Sequence, residues 1–203
     1  ATGSSLVAID PHMMLTAPST FMLVNMSLST GTVSGGTIPG VPAILIGRSK
    51  KIGWGFASAQ IDDQDLYIEK LNQKNKEEYF TEHGIKKLQK TTEIIKIKDE
   101  KSITYDILRT HNGPILPEDI FQLSTIRPDG HAISLSWTGF DNKDRTIEAL
   151  IHLMKSESIE QATNKFDLII VPGNNILLAD NQNIAIYTVG KLPKRNPNHS
   201  TKG

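Results

Sequence analysis

The stretch Gly36-Thr37-Ile38-Pro39-Gly40-Val41-Pro42-Ala43-Ile44-Leu45-Ile46-Gly47, followed by Ile52-Gly53-Trp54-Gly55 and Asp62-Asp63-Gln64-Asp65-Leu66-Tyr67, organises the reading of this chain. Val41 to Ile46 is almost continuously apolar, which predicts a strand covered on both faces. Glycine and proline punctuate the run on either side, as they do where a chain turns between strands. Three carboxylates in four residues then follow, beside a backbone able to offer carbonyl oxygens.

Outward from this block most of the sequence reads as strand. Ser5 to Ile9 is a short apolar run, and Phe21 to Leu28 a longer one between Pro18 and Gly31. Glu93 to Lys98 alternates, Asp99-Glu100 marks a turn, and Ile103, Tyr105 and Ile107 alternate again, which predicts a hairpin with one wet face. Ile133, Leu135 and Trp137 repeat the period of two. Two consecutive helices are expected near 144–167. Ile147, Leu150, Ile151 and Met154 make one apolar stripe at i, i+3, i+4, i+7. Ser158-Ile159-Glu160-Gln161 has the form of a capping box opening a second helix that runs to about Phe166. Asn175 to Leu178 and Ile184 to Val189 return to strand around the polar turn Asp180 to Asn183, and the segment from Pro193 onward reads as loop. Strands, then a helix pair, then strands predict an α+β fold with helices packed on a sheet. No linker or repeat interrupts the 203 residues, so one domain, 1–203, is expected.

Composition narrows the chemistry. Lys+Arg and Asp+Glu balance at 22 each, so no global charge points to nucleic acid or to an anionic membrane. There is no cysteine, which removes disulfides, thiolate nucleophiles and cysteine metal sites. No apolar run approaches the roughly 20 residues of a membrane helix. Acids, histidines, serines and backbone amides remain.

Read alone, each polar motif has two meanings. Asp62-Asp63-Gln64-Asp65 suits either a solvated loop or a hard cation such as calcium, although it lacks the twelve-residue register of an EF-hand. His12 in Asp10-Pro11-His12 reads as a surface or structural histidine. Ser58 closes a glycine-flanked strand and has no Gly-x-Ser-x-Gly elbow, which argues against a nucleophile. Asn174-Asn175 after Gly173 is a turn signal, and Lys191, Lys194 and Arg195 form a basic, exposed segment.

In order and spacing, however, these motifs resemble the penicillin amidase family of N-terminal nucleophile hydrolases, from Asp10 to Arg195. The resemblance implies part of an αββα sandwich and a protein that cleaves a linear amide of penicillin, cephalosporin or N-acyl-homoserine lactone type. It carries roles onto individual residues. His12 matches the histidine or glutamine that helps orient the terminal amine. Ser58 matches the main-chain oxyanion donor. Asn175, in Pro172-Gly173-Asn174-Asn175 followed by Ile176 to Asp180, matches the side-chain donor, with Asn174 replacing the usual glutamine. Arg195, after Pro193, matches an arginine near the active site. Met13 and Ile46 match acyl-pocket positions, and their aliphatic or soft character suggests an aliphatic acyl chain. Asp62, the carbonyl of Gln64, and Asp65 match a structural calcium site completed by ligands elsewhere. Thr110-His111-Asn112-Gly113-Pro114 matches a structural turn.

The same resemblance implies an absence. The family's nucleophile is a serine at the free N-terminus of the large, or beta, subunit, acting with its own α-amine as base. By family spacing it would precede Ala1 by on the order of ten residues. The 203-residue segment by itself is therefore expected to be inactive, and a small alpha subunit and the rest of the beta subunit are implied as partners, with no organic cofactor. Family members are periplasmic or secreted, and antibiotic turnover is their best-known use. Rival readings are a non-enzymatic binding or structural module on an acylase-like scaffold, and a calcium-dependent adhesion domain.

Overall fold

The computed structural model describes residues 3–196. In chain order the strands are β1 (Met22–Leu28), β2 (Gly31–Thr37), β3 (Ile46–Arg48), β4 (Gly53–Ser58), β5 (Gln64–Lys70), β6 (Glu78–Thr81), β7 (Gly84–Lys87), β8 (Gln89–Ile95), β9 (Ile103–Arg109), β10 (His131–Trp137), β11 (Asn174–Ala179) and β12 (Ile184–Val189). The helices are α1 (Glu118–Phe121), α2 (Thr146–Lys155) and α3 (Ile159–Thr163). None of them is long and apolar enough to cross a membrane. Two compact units divide the chain, one built from residues before and after 64–140 and one from 64–140 itself. No Pro/Gly/Ser-rich linker marks either boundary, which is why the sequence reads as continuous.

The first unit is a six-stranded sheet in the order β1-β2-β3-β4-β11-β12, antiparallel throughout. One face carries α2 and α3. Ala149, Leu150, Leu153 and Met154 of α2 and Ile159 and Ala162 of α3 close a core with Val33, Trp54, Ile176, Leu178 and Val189 from the strands. The expected apolar stripe is this buried face. Ser158 caps α3 by accepting from the Gln161 N–H at 3.1 Å, while the Gln161 side chain accepts from the N–H of Glu157, one residue before the partner a full capping box uses. α3 stops at Thr163, short of the expected Phe166, which instead begins a separate 3₁₀ turn.

The opening stretch departs from its expected form. Only Ile46 of the Val41–Ile46 run joins a strand. Pro39 and Pro42 have no N–H to give a ladder, and Gly40 takes φ of 92° in the turn between them. The run is nevertheless buried, with Ala43 at 2 % and Ile44 at 0 % exposure. Side chains satisfy its backbone. The Ile44 N–H points to the Met154 Sδ at 3.1 Å, and the Trp54 indole N–H donates to the Ile44 carbonyl at 2.9 Å. A continuous apolar run therefore reported burial correctly and strand geometry incorrectly. Ser5 to Ile9 likewise forms no strand. It lies against the sheet face opposite the helices, where a Cβ on Gly55 would sit 2.2 Å from Ile9 and one on Gly53 3.4 Å from Val7.

The second unit joins β5 to β10, β6 to β7 and β8 to β9 as antiparallel pairs. The β8–β9 hairpin forms with Ile95 opposite Ile103 and Asp99 in the turn at φ of 61°. Every residue of β8 is exposed, so both faces are wet rather than one. Lys90 and the Thr92 hydroxyl bind the Asp106 carboxyl across the hairpin and hold it below the usual carboxylate range. The centre of this unit is Glu69, 4 % exposed. One of its carboxyl oxygens accepts from the Thr110 hydroxyl at 2.7 Å, the Ser134 hydroxyl at 2.7 Å and the Asn112 amide at 2.9 Å. The Thr110 to Pro114 turn is thus structural, and Glu69 is its anchor.

Candidate active site

Ser58 ends β4 beside the start of β11, with Asn174 as its register partner and Ala57 opposite Asn175. The Ala59 N–H donates to the Gly173 carbonyl at 3.2 Å. In an antiparallel ladder bonded pairs alternate, so Ala57–Asn175 is the next bonded pair and the Ser58 N–H points to the other side of β4. On that side β3 pairs only with Gly53 and Trp54. The N–H of Ser58 therefore lies outside the ladders of its own strand, as a backbone donor to an oxyanion must.

Alternation sends the Asn175 side chain to the sheet face opposite α2 and α3, since its neighbours Ile176 and Leu178 fill the helix-covered core. The Asn175 carboxamide oxygen accepts from the Thr188 hydroxyl at 2.7 Å, across the β11–β12 register. The two expected donors thus sit one residue apart on neighbouring strands. Asn174 projects to the other face and its amide donates to the Pro172 carbonyl at 3.1 Å, which closes the local turn. At the far end of the hairpin the Asp180 carboxyl accepts from the Gln182 and Asn183 N–H groups at 2.8 and 2.7 Å, and these two bonds hold it below the ordinary carboxylate range.

Arg195 reaches Asp62. Its guanidinium donates to the Asp62 carbonyl at 3.0 Å and stands 3.1 Å from the Asp62 carboxyl, and only 19 % of the arginine side chain is exposed. Asp62 closes a segment of the first unit, whereas Gln64 and Asp65 open the second. Among the described residues no three Asp, Glu, His or Cys side chains gather closely enough to hold a metal ion. With Arg195 on Asp62, the described residues do not by themselves fit a calcium cage.

The remaining expected residues are dispersed. His12 stands 3.7 Å from Asp10, both more than four-fifths exposed. Among the described residues no hydrogen bond or ion pair joins His12 to Ser58 or Asn175. Met13 is half exposed. Ile46 opposes Gly36 and lies one step past the Gly47–Trp54 pair, so it is three residues along β4 from Ser58, about 10 Å. It lines a cleft with Ile9, Arg48, Gly53 and Asp180. Two residues of consequence were not foreseen, Thr188 and Glu69. Thr188 had a signal, because folding the two strands about the Asp180–Asn183 turn places it opposite Asn175.

The penicillin amidase family model matches residues 1–203. An acyl-homoserine lactone acylase, QuiP, of Pseudomonas aeruginosa is 29 % identical over 201 residues, covering 96 % of this chain and 24 % of its own length. Penicillin G acylase of Escherichia coli is 25 % identical over 84 % of this chain and 19 % of its own. The chain thus spans about a quarter of the length of the curated relatives it matches. The solved thermostable penicillin G acylase from Alcaligenes faecalis superposes with a TM-score of 0.75 at 22 % identity, over 90 % of this chain and 32 % of that one, which establishes the likeness of fold. A family-model match over the full sequence, relatives that are acylases and the likeness of fold lead to one conclusion: the chain belongs to the penicillin amidase family.

Proposed function

We propose that this chain forms the oxyanion-binding part of an enzyme that hydrolyses the amide of an N-acyl compound, through an acyl-serine formed on an N-terminal serine contributed by another part of the polypeptide. When the serine oxygen bonds to the amide carbon, its proton passes to the serine's own α-amine and negative charge develops on the former carbonyl oxygen. The Ser58 N–H and the Asn175 carboxamide donate to that oxygen. Collapse of the intermediate breaks the C–N bond, the protonated amine returns its proton to the leaving nitrogen, and water later frees the acid. Preorganised donors of this kind are worth several kcal/mol because they need no rearrangement as charge appears.

In this reading His12 orients the terminal amine, Arg195 orders the region through Asp62, and Met13 and Ile46 line the acyl pocket, favouring an aliphatic chain. A structural calcium at Asp62, the Gln64 carbonyl and Asp65 belongs to it only with oxygen ligands supplied from outside this chain. The companion subunit and a periplasmic or secreted setting belong to the same reading. The observation that supports it best is the adjacency of Ser58, its N–H off the β4–β11 ladder, to Asn175 on the facing strand.

The test compares the full polypeptide carrying this chain with the chain alone, on phenylacetyl, glutaryl and long-chain acyl amides. Asn175→Ala should lower kcat of the full polypeptide by about 10²–10³ with little change in KM. The chain alone should show no turnover. Unchanged kcat in Asn175→Ala defeats the oxyanion assignment, and turnover by the chain alone defeats the external nucleophile.

A further inference from the structure

We infer that Thr188 is a positioning residue that fixes which way the Asn175 carboxamide faces; the inference rests on the oxyanion reading and deepens it. A carboxamide has one accepting and one donating end of nearly equal shape, so without a partner both orientations compete. An oxyanion is served by the NH₂ end alone. Asn175 sits between two strands, with Thr188 opposite it on β12 and Ala57 opposite it on β4. The Thr188 hydroxyl donates to Oδ1 at 2.7 Å. That bond turns the oxygen toward β12 and leaves Nδ2 on the side of β4, where Ser58 ends its strand. With its oxygen held toward β12, the Asn175 Nδ2 lies on the same side of β11 as Ser58.

The surroundings support a device of this kind. Thr188 shares its sheet face with Ile184 and Ile186, both apolar and exposed, and its hydroxyl is the polar group of β12 on that face. Its register with Asn175 is set from a distance, by the Asp180 carboxyl bonds that shape the turn between β11 and β12. A one-residue slip in that hairpin would send Thr188 to the helix-covered face and release the carboxamide.

Thr188→Val keeps the branched shape that suits a strand and removes the donor. Thr188→Ser keeps the donor. In the chain itself, NMR of the Asn175 carboxamide is the direct readout. The carbonyl carbon should move upfield in Thr188→Val, as expected for an oxygen that has lost a hydrogen bond, and stay near its original position in Thr188→Ser. In the full polypeptide, Thr188→Val should lose about 10-fold in kcat with KM held within about twofold, a fraction of the loss from removing a donor outright, and Thr188→Ser should recover most of it. An unmoved carbonyl carbon, or an unchanged kcat beside a crippled Asn175→Ala, overturns the role of Thr188 alone. An unchanged kcat in Asn175→Ala overturns the oxyanion reading beneath it.

Discussion

Removing the Glu69 carboxyl group should unfasten the second unit. Glu69→Leu keeps roughly the bulk of the side chain and deletes the acceptor of three hydrogen bonds. The Thr110 hydroxyl has the Gly113 carbonyl within 3.5 Å as a fallback, so its loss is the smallest. Ser134 is fully buried at 0 % exposure and the Asn112 amide is directed at the same oxygen, so both are left without their acceptor. A stranded buried donor costs about 1–3 kcal/mol; Ser134 bears that in full and the partly buried Asn112 a fraction of it, so about 3 kcal/mol in total is expected. Glu69→Gln retains a carbonyl oxygen of the same reach and should cost only about 1 kcal/mol. Urea denaturation of the full chain followed by circular dichroism measures both. Hydrogen exchange places the effect, since the amides of Thr110 to Ile115 should lose protection in Glu69→Leu and keep it in Glu69→Gln. If Glu69→Leu unfolds within 0.5 kcal/mol of the parent, or if Gln costs as much as Leu, the anchoring argument is wrong.

Two further outcomes follow from other contacts. Asp180 has its folded-state carboxyl held below the ordinary value of 3.8 by the Gln182 and Asn183 N–H groups, so its stabilising contribution is complete above that value and fades as pH falls through it toward the lower folded value. Asp180→Asn keeps the turn acceptor without the charge, so its deficit in Tm relative to the parent at pH 7 should shrink by pH 3; a deficit independent of pH would contradict this. Gly55→Val would drive a side chain into the Ile9 position, where even a Cβ lies 2.2 Å from Ile9. The segment before His12 should lift from the sheet, at about 1–3 kcal/mol, and be cleaved faster by elastase or a broad protease, since it offers Leu6, Val7 and Ala8 but no Lys or Arg; unchanged cleavage there would show that Ile9 is not seated by the glycine.

Much of this fold was written locally. The stripe Ile147, Leu150, Ile151, Met154 foretold the face of α2 that meets the sheet, and Asp180 to Asn183 foretold the turn between β11 and β12. Val41 to Ile46 misled because burial and strand geometry share one apolar signature, and the prolines that decide between them act through missing N–H groups rather than through hydropathy. The hairpin of β8 and β9 misled differently: alternation of Ile95 and Ile97 with lysines promised a buried face, yet no element of the unit covers it. Of the candidate site, Ser58 and Asn175 were singled out by the family resemblance, and the fold sets them one register step apart on β4 and β11. Arg195 on Asp62 was not, because an ion pair between residues so distant in sequence has no period to betray it. Glu69 was hidden among ordinary charged residues, since only the meeting of Thr110, Asn112 and Ser134 at one oxygen sets it apart.

The pairing of β4 with β11 has a bearing on how such a protein comes into being. Ser58 and Asn174 touch in the finished sheet, yet about 115 residues of chain must be made between them. At about 5–20 residues per second this is on the order of 6–20 s of translation. During that interval β4 lacks its β11 neighbour, while the residues of the unit 64–140 have all been made. Translation arrested before β11 would therefore leave β4 without the strand it pairs with, and the six-stranded sheet is completed only once the β11–β12 hairpin has been made.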